Sequence, residues 1–173
     1  ITTREPGGTE FGEKCRELFL KYKLDGKTET MLALASRNHH INHKIKPALK
    51  EGYWVLCDRF SDSTIAYQGW GRGVSVDLIR QLSIQIELEI KILKIIFFET
   101  NYKDNLKRLA NRQLKKDKFE MESTQFFERV TKGFISAANH RGKLGVSIDG
   151  SLSISKVFNK IIETIPELNA LKS

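Results

Sequence analysis

Apolar residues recur at three- and four-residue steps from Thr9 to about Lys23, at Phe11, Cys15, Leu18, Phe19 and Tyr22. That spacing predicts an amphipathic helix. A polar turn, Leu24 to Lys27, precedes a longer helical pattern from about Glu29 to Glu51. Leu34, Ile41, Ile45, Ala48 and Leu49 share one of its faces, and Gly52 ends it. Tyr53-Trp54-Val55-Leu56-Cys57 reads as a buried strand delivering Asp58 and Arg59 at its carboxyl end. Val74 to Lys91 is predicted helical, and Leu93 to Phe98 forms a second apolar strand tipped by Glu99, Thr100 and Asn101. A very basic helical stretch over 102–114, a charged break from Lys115 to Glu120 and a helix from Met121 to His140 follow. Leu144 to Ile148 is a third short strand ending at Asp149-Gly150, and Ser153 to Ile165 a last amphipathic helix.

Strands alternating with helices predict an α/β fold, a parallel sheet covered by helices on both faces. Thr2 to Thr9 reads as a strand end turning into a helix, so the chain is expected to begin within a domain. No repeat, linker or low-complexity tract divides it, and 173 residues suffice for one domain with a sizeable core.

The 29 Lys+Arg against 21 Asp+Glu leave a formal charge of +8, which favours anionic partners without choosing among them. Nucleic acid is disfavoured, because the basic residues are scattered and lack interleaved aromatics. The apolar run Ile92 to Phe98, interrupted by Lys94, is too short to span a bilayer. No signal peptide is visible, and the two cysteines, Cys15 and Cys57, fit a reducing, cytoplasmic setting. Cys57 is expected to be an inert core thiol.

The run from Asp58 to Gly73 concentrates the candidate chemistry. Open α/β sheets bind ligands at strand carboxyl ends. The planar fork of Arg59 suits a phosphate held bidentately. Asp58 either orients that arginine, reaches a metal through water, or forms a purely structural ion pair. Ser63, Thr64, Tyr67 and Gln68 share a helical face, which either lines a pocket or caps and packs. Gly69, Gly71 and Gly73 let the backbone bend or approach a ligand. Arg37, on the apolar side of the long helix, either recognises a base carbonyl or snorkels to the surface. Glu5-Pro6-Gly7-Gly8 is a turn whose carboxylate faces the same sheet edge as Asp58. The stretch from Arg108 to Lys118, with Glu120 and Glu122, is either a charged flap or a solvated helix end.

Two other signals are rejected. Gly26-Lys27-Thr28 has Lys21 where a phosphate-binding loop needs glycine, and no buried strand precedes it. Of His39, His40 and His43, the first and last share a helix face, but no third ligand stands at suitable spacing, which leaves a polar helix surface as the expectation.

Together these segments resemble the bacterial thymidylate kinases of the nucleoside-monophosphate-kinase family. The resemblance rests on Thr3-Arg4-Glu5-Pro6-Gly7-Gly8-Thr9, on Ala35-Ser36-Arg37 with Pro47-Ala48-Leu49, and on Phe126 to Val130. Its most distinctive part is Asp58 to Ser63 with Ala66-Tyr67-Gln68-Gly69 and Gly71-Arg72-Gly73. It implies a three-layer parallel sheet flanked by helices, and phosphoryl transfer from ATP to thymidine monophosphate with Mg2+. It also implies a single domain over 1–173 with a lid at about 112–122, and a homodimer. By resemblance, Arg59 holds the acceptor phosphate and Asp58 lies near the magnesium's water shell. Arg37 bonds the thymine carbonyl, and Ser63, Thr64 and Gln68 contact base or sugar. Tyr67 packs on the deoxyribose, Glu5 lies near sugar and phosphate, and Arg16 reaches the phosphate. Lys118 of the lid contacts the transferring phosphoryl group. Asp149, Gly150 and Ser151 are candidates for the adenine side.

The chain departs from the family's pattern in carrying Ala33 where relatives have an aromatic, Lys118 for a lid arginine, and Ile92-Leu93 for Pro-Asp. The family's P-loop, with its first strand and helix, would precede Ile1. The alternative expectation is therefore an N-terminally truncated remnant that binds nucleotide without catalysis.

Overall fold

The computed structural model describes residues 1–100, 119 and 121–168. The basic stretch over 102–114 and Lys118 lie outside the described residues, as does most of the lid at 112–122. The fold has two compact units, residues 1–91 with 116–137, and residues 92–115 with 138–173.

The first unit opens with β1, Thr2–Arg4, paired in parallel with β2, Leu56–Asp58, in the register Thr2↔Leu56 to Arg4↔Asp58. Helix α1, Glu10–Lys21, is capped by the Thr9 hydroxyl, which accepts from the Gly12 amide. Helix α2, Gly26–His40, is capped by Asp25, which accepts from the Lys27 and Thr28 amides. Gly26-Lys27-Thr28 is thus the first turn of a helix. A π-helical segment, Ile41–Ile45, continues into α3, Lys46–Lys50. Helix α4, Ser61–Thr64, likewise runs into a π-helical segment, Ile65–Gly71. Helix α5, Val76–Glu87, is capped by Ser75.

Helix α6, Thr124–Arg141, brings Phe126 and Val130 into a buried cluster with Ala66, edged by Tyr67, Phe119 and Phe134. Glycine is required at this contact. A Cβ on Gly133 would stand 2.8 Å from the Ala66 Cα, and one on Gly71 would stand 2.7 Å from the Phe126 ring.

The second unit pairs β3, Ile95–Glu99, with β4, Gly145–Asp149, in parallel from Ile95↔Gly145 to Glu99↔Asp149. Helix α7, Ile154–Thr164, follows β4, with Ser153 at its N-cap. Among the described residues the expected continuous sheet is thus two separate two-stranded parallel sheets.

Some burial expectations are corrected. In α1 only Cys15 and Phe19 of the predicted apolar face are buried, while Phe11, Leu18 and Tyr22 are exposed. One helix face can meet the α2 surface, and that stripe points elsewhere. The strand expected over 53–57 is three residues long, with Tyr53 and Leu56 exposed and Cys57 half-buried. On α2 and its continuation Leu34, Ile41, Ile45 and Ala48 are buried as read, but Leu49 is exposed. The π segment adds a residue to the turn and rotates the face beyond it.

Candidate functional site

The ends of β1 and β2 begin the site. The Glu5 amide donates to the Asp58 carbonyl at 2.9 Å, which places a carboxylate beside the Asp58-Arg59 step. Arg59 is the one non-glycine described residue with positive φ, at 67°. A left-handed conformation costs an L-residue roughly 1–2 kcal/mol, and here it turns the chain sharply from strand into α4. The Arg59 guanidinium lies over the Tyr67 ring, 5.2 Å from its centroid.

Glu5 is nearly sealed from water, and both its oxygens are engaged. One accepts from Arg37 Nε at 2.7 Å, and the other pairs with His40 Nδ1 at 2.9 Å. His40 is wholly buried, and its other nitrogen bonds the Thr3 hydroxyl at 2.7 Å. The polar-surface expectation is therefore wrong for His40. His39 and His43 stack on one another at 4.1 Å. Glu5, His40 and Cys57 do bring ligand atoms within 4.8 Å of one another. Both His40 nitrogens are already bonded, and the Arg37 cation sits against the same carboxylate, so this cluster reads as a hydrogen-bond network. The Cys57 thiol donates to the Arg59 carbonyl at 3.2 Å. Burial, reinforced by the Glu5 charge, pushes that thiol up to about 12, so it is inert.

Arg37 is buried, not snorkelling. Its Nη2 donates to the Thr64 hydroxyl at 3.0 Å, and its guanidinium lies over Phe60 at 5.1 Å. Its remaining terminal nitrogen, Nη1, is buried and lacks a partner among the described residues. A buried guanidinium with one orphan donor is costly without a ligand to receive it.

Thr64 and Gln68 both face α2. Gln68 Nε2 donates to Glu29 at 3.0 Å, and Glu29 also receives Arg72 Nε at 3.2 Å. Tyr67 departs from that face. Its ring meets Phe119 and Phe134 edge-on at 5.5 and 5.9 Å, under the Arg59 guanidinium. Residues 63, 64, 67 and 68 therefore do not share one face, because the π segment turns more residues per cycle than an α-helix. Ser63 is half-buried and contributes its amide to the Phe60 carbonyl at 2.9 Å.

Arg16, on α1, donates to the Pro6 carbonyl at 3.4 Å, which sets it beside the Glu5-Pro6-Gly7 turn. Glu13 shapes the same turn. It accepts from the Gly8 amide at 3.0 Å and pairs with Arg4 at 3.0 Å. The Gly8 bond, helped by Arg4, holds its carboxyl below the usual range. Arg129 closes the other end by donating to the Gly71 carbonyl at 3.0 Å.

In the second unit, Asp149 follows β4 and accepts from the Ser151 hydroxyl at 2.6 Å and its amide at 2.8 Å. These bonds, the hydroxyl first, hold its carboxyl below the usual range. The Gly150 amide donates to the Glu99 carbonyl at 2.7 Å. Asp149, Gly150 and Ser151 thus form a tight turn at a strand end.

Sequence reading missed His40, Glu29, Arg72 and Glu13 as parts of this assembly. A buried-network role for Glu29 has no local signal, since it sits in the first turn of α2, where acids are common.

The family described as "Thymidylate kinase" matches residues 1–161. A thymidylate kinase of Methylobacillus flagellatus is 36% identical over 170 residues, covering 98% of this chain and 83% of that protein. One from Kosmotoga olearia is 40% identical over 165 residues, covering 94% and 79%. The crystal structure of thymidylate kinase from Ehrlichia chaffeensis superposes with a TM-score of 0.76 at 30% identity, covering 96% of this chain and 79% of that one. With the family matched along most of its length and relatives well above 30% identity, the chain belongs to the thymidylate kinase family.

Proposed function

We propose that this chain transfers a phosphoryl group from ATP to thymidine monophosphate, with the first unit forming the acceptor-nucleotide pocket. The observation that carries the reading is Arg37, a buried guanidinium with two nitrogens committed and Nη1 unpartnered. A base carbonyl is the acceptor that completes it. Thr64 and Gln68 stand on the neighbouring helix as further base or sugar contacts, with Ser63 at its start. Tyr67 offers a ring to the deoxyribose.

Arg59 holds the acceptor phosphate, its strained backbone fixing the guanidinium at the strand end. Arg16 adds charge from the turn beside Pro6. Glu5 works through Arg37, since both its oxygens are bonded. Phosphoryl transfer requires positioning and neutralisation of charge more than covalent assistance. Arg59 and Arg16 would supply that charge for an acceptor phosphate.

Asp58 is an exposed carboxylate, the hard oxygen donor that magnesium takes through its own water. The bound ion would neutralise charge on the transferring phosphates. Lys118 would meet the same phosphates from the lid. The Asp149-Gly150-Ser151 turn is proposed for the adenine side of ATP. The two β-pairs are proposed to belong to one three-layer sheet of the nucleoside-monophosphate-kinase type, within a single domain. A homodimer in the cytoplasm completes the reading. No helix among the described residues is long and apolar enough to cross a membrane.

The test is a coupled assay of ADP formation with thymidine monophosphate. It is run on this chain and on a form extended upstream by the family's strand and glycine-rich loop. Turnover by either supports the reading, and absence from both leaves only a nucleotide-binding protein. In the active form Arg59→Ala is expected to lower kcat/KM about a thousandfold. A near-normal rate would overturn the role of Arg59.

A further inference from the structure

We propose that Glu29 decides which end of the Gln68 amide is offered to the acceptor base, and so acts as a positioning residue for base selection. The inference rests on the reading of Arg37, Thr64 and Gln68 as the base pocket. A side-chain amide is nearly symmetrical in shape but opposite in polarity at its two ends. Shape alone therefore cannot fix its orientation.

Glu29 removes the ambiguity. It is fully buried, it is the anionic partner of Arg72, and a carboxylate accepts hydrogen bonds without donating them. Gln68 must turn its nitrogen toward Glu29, and Nε2 lies 3.0 Å from Oε2. The reversed amide would set oxygen against oxygen where water does not reach. The amide oxygen is thereby left as the acceptor that Gln68 has to offer.

Its surroundings complete a polarity code. Arg37 Nη1 is an unpartnered donor, and the Thr64 hydroxyl already accepts from Arg37 Nη2 at 3.0 Å. Thr64, the last residue of α4, and Gln68, in the π-helical segment that continues it, both face α2. A fixed donor on α2 and a fixed acceptor on the segment that faces it complement a base edge that carries a carbonyl next to a ring N–H. Thymine and uracil have that edge. Cytosine, with an amino group next to an unprotonated ring nitrogen, meets donor with donor and acceptor with acceptor.

Glu29 is itself held by Arg72, whose Nη2 reaches Glu122 at 2.6 Å and whose guanidinium lies over Phe126 at 4.7 Å. Arg72 therefore fixes Glu29, and Glu29 fixes Gln68.

Calorimetric binding of thymidine monophosphate and deoxycytidine monophosphate tests this without requiring turnover. The unaltered chain is expected to prefer thymidine monophosphate by about a hundredfold or more, as sites built around hydrogen-bonded groups do. Glu29→Gln gives Gln68 a partner that accepts either orientation. Thymidine monophosphate should then bind more weakly and deoxycytidine monophosphate more tightly, with the ratio falling about tenfold. A structural role alone would weaken both together, and an unchanged ratio overturns the proposal. Should circular dichroism show that Glu29→Gln does not fold, Glu29→Asp keeps the charge but withdraws the oxygen. The ratio should again fall, and constancy overturns the proposal. Gln68→Met separates the two levels. If it leaves thymidine monophosphate binding unaltered, the base-pocket reading fails and the inference with it. If it weakens that binding while the Glu29 variants keep the ratio, the inference alone fails.

Discussion

Glu5 and Glu29 are both almost sealed from water, and they are used differently. Glu5 is 4% exposed and Glu29 0% exposed, and each is neutralised by an arginine. Around Glu5 the assembly is closed. Arg37 and His40 are buried with it, the hydrogen bonds are 2.7 and 2.9 Å, and one arginine nitrogen is left over. Around Glu29 the assembly is open at one end. The Arg72 side chain is 20% exposed, its contacts with Glu29 are longer, and it continues outward to Glu122. On the proposed reading, the closed node with its spare donor receives a ligand group. The open node links segments, here Glu122 through Arg72 and Glu29 to the helical segment carrying Gln68. Burial of the acid is the same in both, so the difference lies in where each arginine's remaining nitrogens go.

The largest way to break this contrast is Arg37→Met, which strands a buried charge at Glu5. Urea unfolding should show a loss of about 3–5 kcal/mol, together with loss of thymidine monophosphate binding. Arg72→Met should cost less, about 1–2 kcal/mol by the same measurement, because Gln68 still donates to Glu29 and Arg72 was already partly hydrated. Equal costs would mean that the two nodes do not differ in kind. Thr64→Val removes the acceptor of Arg37 Nη2 while keeping shape. It should cost about 1 kcal/mol in thermal unfolding and raise the KM for thymidine monophosphate.

Glu13 is the exposed counterpart, with its side chain 46% exposed. Its carboxyl is depressed in the folded state by the Gly8 amide, then by Arg4. The stabilisation is therefore present above the unfolded carboxylate's value and is lost as pH falls through the depressed one. Glu13→Gln should flatten the stability profile below about pH 4.5 by only a few tenths of a kcal/mol, because solvent screens the pair. An effect matching that of Arg37→Met would erase the distinction between buried and exposed carboxylates.

How far the chain could be read without its fold is clearest in single residues. Helices α1, α5, α6 and α7 follow from apolar spacing within a few residues, and the single helix expected over 29–51 is α2, a π-helical segment and α3. The strand before Asp58 was read too long and too buried, since Tyr53-Trp54-Val55-Leu56-Cys57 is apolar whether or not a layer covers it. For Arg37 local spacing leaves pocket and surface open, and its burial against Glu5, Thr64 and Phe60 excludes the surface. Local pattern puts His40 on the surface, because its neighbours His39 and His43 suggest a polar stripe. Its environment comes from β1, 37 residues earlier.

The sequence by itself determined the order of strands and helices and the family, and it marked the run from Asp58 to Gly73 as the candidate centre of the chemistry. These depend on local spacing and on residue types kept together along the chain. The tertiary structure alone decided that Glu5, Arg37 and His40 form one network and Glu29, Gln68 and Arg72 another. It also decided that Tyr67 leaves the face shared by Thr64 and Gln68. Each of those facts joins residues 27 to 43 positions apart, or depends on a π turn that shifts the helical face. Hydrogen-bond partners over such separations are set by packing, which no local pattern records.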